Sequence, residues 1–290
     1  MIISNVVFHI ERFRESLYNR HMARMTDPNH DLFTFAFCGN REDFFEPIHL
    51  KRLAELAEEE KWTSKDNDGH DFDILFYYIV KTFEIVSKQN NIEYSSKNDF
   101  AVFNTGLMTP NGEDIYGYFE PNIKPNAQKW FFKGFAQESD RVFSHYSFKK
   151  PNVAKYDKNV EEFHYNASAA IEFNADHIFD DHWDDGQRFP SEVRSLGKPL
   201  AIASIQSAFN VTKKKLLRNP RLAVPQYYDG QIMFLLPVNI QTVSGPITMA
   251  LAVEKTENGS YRANTIFDLA SAYKKARLIT KPESNWLIDE

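Results

Sequence analysis

Between Arg218 and Glu254 the chain runs RNPRLAVPQYYDGQIMFLLPVNIQTVSGPITMALAVE, three apolar stretches separated by little more than turn formers. Val, Ile, Leu, Phe and Tyr dominate, and the breaks fall at Pro225, Asp229-Gly230 and Gly245-Pro246. Short apolar runs bounded in this way are strands. Connections this brief cannot carry a parallel crossover, which takes a dozen or more residues, so the three strands pair antiparallel. Helical segments arrive in separate blocks rather than alternating with strands. The expected class is therefore α+β: mixed, largely antiparallel sheet packed with helices, in a single large domain over 31–290.

The remaining segments fill in that outline. An amphipathic helix is expected over roughly Glu11 to Met25, inside an N-terminal helical extension (1–30) closed by Asp27-Pro28-Asn29. LFTFAFCG (32–39) reads as a strand. Leu50, Leu53, Leu56, Ala57 and Trp62 follow a helical period, as do Ile74, Leu75, Tyr78, Ile79, Thr82, Phe83 and Val86. Strands are expected over 97–106, 113–122 and 129–136, the first two joined by a turn-rich loop at 106–112. Residues 138–168 are polar and aperiodic, an irregular excursion. Asn174 is placed to cap a short helix, and Pro190 to open another at its first position. The helix from Pro199 to Arg218 is so rich in small and apolar residues in its first half that burial on more than one side is expected. YRANTIFDLASAYKKARLI (261–279) reads as one helix with Ile266, Leu269, Ala270, Tyr273, Ala276 and Arg277 on a face, and Trp286 as a tail residue that docks back. No internal sequence repeat is visible.

Bulk composition excludes several classes. With 42% apolar residues, 25 Phe, 13 Tyr and 4 Trp in 290 residues, a large aromatic core is available and disorder is not expected. The net charge of −6 opposes broad, sequence-independent binding to a nucleic acid backbone. The lone Cys38 rules out an internal disulfide and a cysteine zinc cluster. The N-terminus lacks a secretory pattern and the longest apolar run, IMFLLPV, is too short to span a membrane. The expectation is a cytosolic protein without a membrane partner.

Four groups of polar residues carry the chemistry. Asn104-Thr105-Gly106 at a strand end can present amide and backbone donors to a polar ligand, or can form an ordinary hairpin connection. His177 and Asp181 stand one helical turn apart, which suits a base with its orienting acid or half of a metal site; a solvated helix end gives the same pattern. Lys213, Lys214, Lys215, Arg218 and Arg221 precede Gln226, Tyr227 and Tyr228, joining cations that fork phosphate to rings that stack a base. The alternative there is a helix terminus whose cations complement the dipole. Arg277 lies on an apolar helix face one turn after Tyr273, where a cation needs an acidic partner or an anionic ligand.

LAELAEEEKW, AVFNTGL, NADHIFDD with Arg188 and Pro190, NPRLAVPQYYDGQIMFLLPV, MALAVE, YRANTIFDLASAYKKARLI and the closing NWL together resemble the family called domain of unknown function 3825, over residues 32–287. Its members are bacterial and fungal, some with RNA-binding modules, so the resemblance implies RNA or nucleotide biology without naming an activity. Its polar motif positions fall here on Asn104, Gly106, His177, Asp181, Arg188, Gln226, Tyr273 and Arg277. The expected function is binding of a nucleotide or RNA end in one polar cleft, extending to action on phosphate. In that cleft Arg218, Arg221 and Arg277 would meet phosphate, Asn104 and Gly106 would position it, Tyr227 or Tyr228 would stack a base, and His177 with Asp181 would move protons. A metal-dependent hydrolase built on His177 and Asp181, and a non-enzymatic interaction module, are the alternatives. No resident metal is assigned, and sequence leaves both the cofactor and the oligomeric state open.

Overall fold

The computed structural model describes residues 27–64, 69–125, 127–157, 159–180, 183 and 188–288. The expected helix at 11–25 lies outside them. The chain forms two compact units, one reaching to Lys155 and the other running from Tyr156 onward and including Ser64. Each unit holds one mixed five-stranded sheet with helices, so the class is α+β.

The first unit contains α1 (Leu32–Phe35), β1 (Ala36–Phe37), a π-helix (Arg41–Leu50) continuing as α2 (Lys51–Leu56), and α3 (Asp73–Lys88). Strands β2 (Glu93–Tyr94), β3 (Ala101–Met108), β4 (Asp114–Pro121) and β5 (Trp130–Gln137) follow. The sheet order is β1-β5-β4-β3-β2; only the β1–β5 pairing is parallel. The strand expected over 32–39 is thus mostly a helical turn with a two-residue strand behind it. Asp31 decides this, because its carboxylate accepts from Thr34 N at 2.9 Å and caps a turn that the apolar run alone did not announce.

One sheet face packs on α3 through aromatic rings. Phe83 meets Phe35, Phe103 and Phe119 at centroid separations of 5.2, 5.2 and 5.9 Å. The opposite face is covered by the irregular stretch after β5. There Phe143, Tyr146 and Phe148 pack around Phe100, with Tyr146 stacked on Phe100 at 4.0 Å. Gly117 pairs across the sheet with Phe103, whose ring fills the space a Cβ would need. Gly117→Ala is expected to destabilise by about 1–3 kcal/mol, since Phe103 is fully buried and cannot swing aside. A urea midpoint equal to that of the parent protein would refute this.

The second unit repeats the same plan. It contains β6 (Ile171–Phe173), α4 (Ala175–Asp180), α5 (Ser191–Arg194), α6 (Lys198–Leu216), β7 (Val224–Tyr228), β8 (Gln231–Thr242), β9 (Gly245–Lys255), β10 (Tyr261–Phe267), α7 (Leu269–Arg277) and α8 (Asn285–Ile288). Its order is β6-β10-β9-β8-β7, again with only the edge pairing to the upstream strand parallel. In both units a short strand leads into helices. A long helix then comes before a four-stranded antiparallel meander whose last strand returns to the first. The chain therefore does contain a repeat, one of topology that sequence comparison within the chain misses: strand order and pairing are shared while the residues are not.

Three expectations about this unit are corrected. Tyr261–Phe267 is a strand, paired to β9, and the helix begins only at Leu269. Asp268 marks the change: its Oδ1 accepts from Ser271 N at 2.7 Å as an N-cap. Helix α6 buries one stripe, Ala201, Ile205, Phe209, Thr212 and Leu216, rather than several sides. Ala203 and Ser207 face outward, while Ala208 packs partly against the core; Ala and Ser fit an exposed helix face as well as a core. Pro190 is the N-cap of α5, one position earlier than expected. Sheet and α4–α6 enclose the larger core, while α7 and α8 cover the other face through Ala272, Ala276 and Leu287 against Val224, Leu235, Ala250 and Ala252. Trp286 Nε1 donates to Leu222 O at 3.0 Å, which fastens α8 to the segment before β7. No helix among the described residues is long and apolar enough to cross a membrane.

Candidate functional site

Strand β7 ends at a two-residue turn, Asp229-Gly230, with φ of 46° and 80°. Both positive values suit an Asp-Gly hairpin of the tight primed type, which fixes the register Gln226↔Met233 and Tyr228↔Gln231. Alternation along β7 then sorts its side chains. Val224 packs in the cluster with Ala272 and Ala276 of α7, and Tyr228 lies under Lys275 of the same helix. Gln226, between them in the same phase, faces α7 as well. Its side chain is 2% exposed, and among the described residues its Oε1 meets no donor.

A buried amide carbonyl without a donor is uncommon, because losing its water without replacement costs about 1–3 kcal/mol. Helix α7, which packs on β7 and β9, brings cations against rings. Lys275 Nζ is 5.6 Å from the Tyr228 ring centroid and 4.9 Å from that of Phe267. Arg188 Cζ is 5.7 Å from the Phe267 centroid. Arg277, on the same helix, is 8% exposed. Tyr228 itself is 59% exposed, so one ring face remains within reach of a ligand.

The residues singled out from sequence divide between the units. Gln226 and Arg277 belong to this α7–β7 region of the second unit, and Arg188 lies over Phe267 at the end of β10. Tyr227 occupies the other phase of β7 and points to the larger core, edge-on to Tyr156 at 5.2 Å, so Tyr228 is the ring available beside Gln226. Arg218 donates from Nη1 to Lys214 O at 2.6 Å, a helix-end bond. Arg221 sits in a 3-10 turn, with its amide donating to Asn219 Oδ1 and its carbonyl accepting from Ser284. His177 is exposed near the start of α4, its backbone N donating to Asn174 Oδ1 at 3.3 Å; Asp181 lies outside the described residues. Among the described residues no group of three or more His, Cys, Asp or Glu could hold a metal ion.

Asn104 and Gly106 belong to the first unit, where both serve the backbone. Asn104 Oδ1 accepts from Gly106 N at 2.8 Å, while its Nδ2 donates to Asp114 and to Pro151 O at 3.3 and 3.5 Å. Gly106 has φ of 74°, and a Cβ there would stand 2.8 Å from the Tyr78 hydroxyl. Glycine is required at that bulge by geometry.

Phe267 and Lys275 were not anticipated. The signal was present in Asp268-Leu-Ala-Ser271, a capping pattern that divides strand from helix and would have made Phe267 the last strand residue. Residues 53–286 match the family described as Domain of unknown function (DUF3825). No curated protein and no solved structure matches the chain. Since that match takes in most of its length, the chain belongs to the DUF3825 family.

Proposed function

We propose that the α7–β7 face of the second unit binds a nucleotide or the end of a single-stranded RNA. One observation carries the reading: the Gln226 carbonyl is buried without a donor, on the strand face that also bears Tyr228 beneath Lys275. A side-chain amide offers an acceptor and two donors, which is the pattern that reads a base edge. An exposed ring gives a base something to stack on, and an ammonium held over it meets the phosphate that follows. The overall negative charge fits a local contact with one or two phosphates better than a long electrostatic track.

The test is fluorescence anisotropy with end-labelled single-stranded RNA of eight nucleotides, and with labelled ATP and GTP, against the intact protein. Tyr228→Ala is expected to weaken binding about 5- to 150-fold, the range of about 1–3 kcal/mol per stacked base. Lys275→Ala should weaken all sequences alike and flatten the salt dependence by about one ion. Gln226→Leu should lose discrimination between bases. Absence of binding by the parent protein at millimolar ligand, or Tyr228→Ala binding as tightly as the parent, would reject the reading.

A further inference from the structure

We infer that the open edge of β8 is a docking site for an extended peptide, which joins the second sheet as an added strand beside α6. Strand β7 pairs only with Gln231–Leu235, whereas β8 continues to Thr242 with β9 on its other side. Residues 236–242 therefore have one neighbouring strand among those described. In an antiparallel strand, successive residues turn their N–H and C=O to opposite neighbours. Pro237 O is taken from outside the sheet by Thr212 Oγ1 of α6 at 2.5 Å. The N–H and C=O of Asn239 and Gln241, in the same phase, face that same way.

They open onto a groove of about 570 Å³ lined by Ala203, Ser204, Ser207, Val211 and Lys215 of α6 together with Asn239 and Gln241. Small side chains along α6 leave room for a strand between helix and sheet edge. The first unit supplies the comparison, because it has the same topology and closes the same edge. There the long helix also sends a hydroxyl to the strand, Tyr78 to Thr105 O at 2.9 Å. Beyond that point three backbone groups are taken: Gly106 N by Asn104 Oδ1, Leu107 N by Thr105 Oγ1, and Met108 O by Glu58 N at 2.9 Å. In the second unit the edge past Pro237 carries no such cover among the described residues, and folded proteins seldom leave an unprotected edge.

An edge of unpaired N–H and C=O groups is completed by the backbone of another extended segment, with alternate side chains filling the adjacent groove. Residues facing α6 should be small or β-branched to fit over Ala203, Ser207 and Val211, the last 50% exposed. Lys215, one turn past Thr212, favours a carboxylate at one end of the segment. The occupant is thus an extended peptide with alternating small or β-branched residues and an acidic end.

Random decapeptides displayed on phage, selected on the full chain, supply the probe; one selected peptide is then synthesised with a fluorescein label and titrated. Gln241→Pro removes an outward N–H without touching the β9 ladder, and Ser207→Phe fills the groove. Each is expected to weaken the peptide more than tenfold, with Gln241→Ala within twofold of the parent. Should both former variants fail to fold, Lys215→Glu on the exposed helix decides, with a loss of threefold or more expected. Failure to enrich any peptide, unchanged affinity in Gln241→Pro or in Lys215→Glu, or a homodimer that Gln241→Pro dissociates would each overturn the proposal. The last outcome would assign the edge to a second copy of the chain.

Discussion

Phe119→Ala is expected to destabilise the first unit by about 3–5 kcal/mol, the usual effect of emptying a fully buried aromatic site. Phe119 is completely enclosed and touches Phe35, Phe83, Phe103 and Phe132 at centroid separations of 5.1, 5.9, 5.8 and 5.3 Å. The four neighbours come from α1, α3, β3 and β5, so no single movement closes the cavity. Against a total stability of about 5–15 kcal/mol for a folded domain, that loss removes a large share. Urea denaturation followed by tryptophan fluorescence measures it, Trp130 lying in the same layer, stacked on Phe35 at 6.2 Å. A change under about 1.5 kcal/mol would mean that the aromatic layer repacks freely, contrary to the interlocked arrangement described.

Acidification should unload a second large term, at His49. Its imidazole is buried against Phe132 and Phe45, at 4.8 and 5.8 Å, and burial lowers its pKa to about 4. In the unfolded chain the same group titrates near its ordinary value of about 6.5. Protons therefore bind the unfolded state more readily, and the folded state is favoured fully above pH 6.5. That advantage declines as pH falls from about 6.5 to about 4, amounting to about 3 kcal/mol across the interval. His49→Gln should flatten this part of the stability curve. Equal slopes for parent and variant between pH 7 and 4 would show that His49 is not the group responsible.

The sequence disclosed the α+β class through one feature, the turn-separated strands after Arg218, because hydrophobic alternation and turn chemistry are local properties. It failed where a capping side chain outvoted an apolar run. Asp31 converts 32–35 into a helical turn, and Asp268 separates strand from helix in a segment whose apolar spacing suits either. For the candidate site, Gln226 was legible as an amide beside cations and tyrosines, and Arg277 as a cation on an apolar helix face. That Tyr228 rather than Tyr227 shares the face of Gln226 follows from strand alternation alone; which of the two faces meets α7 does not. Phe267 and Lys275 join the group through the course of α7 over the sheet: the cap at Asp268 locates the start of that helix in the sequence but not its path.

The twin plan of the two sheets also bears on how each assembles. Helix and meander are built from near neighbours, but the parallel edge joins Ala36 to Trp130 in one unit and Ile171 to Tyr261 in the other, spans of about ninety residues. Bringing such distant ends together costs entropy that only an already formed meander can offset, so in both halves the upstream strand should be the final piece to dock and the first to detach.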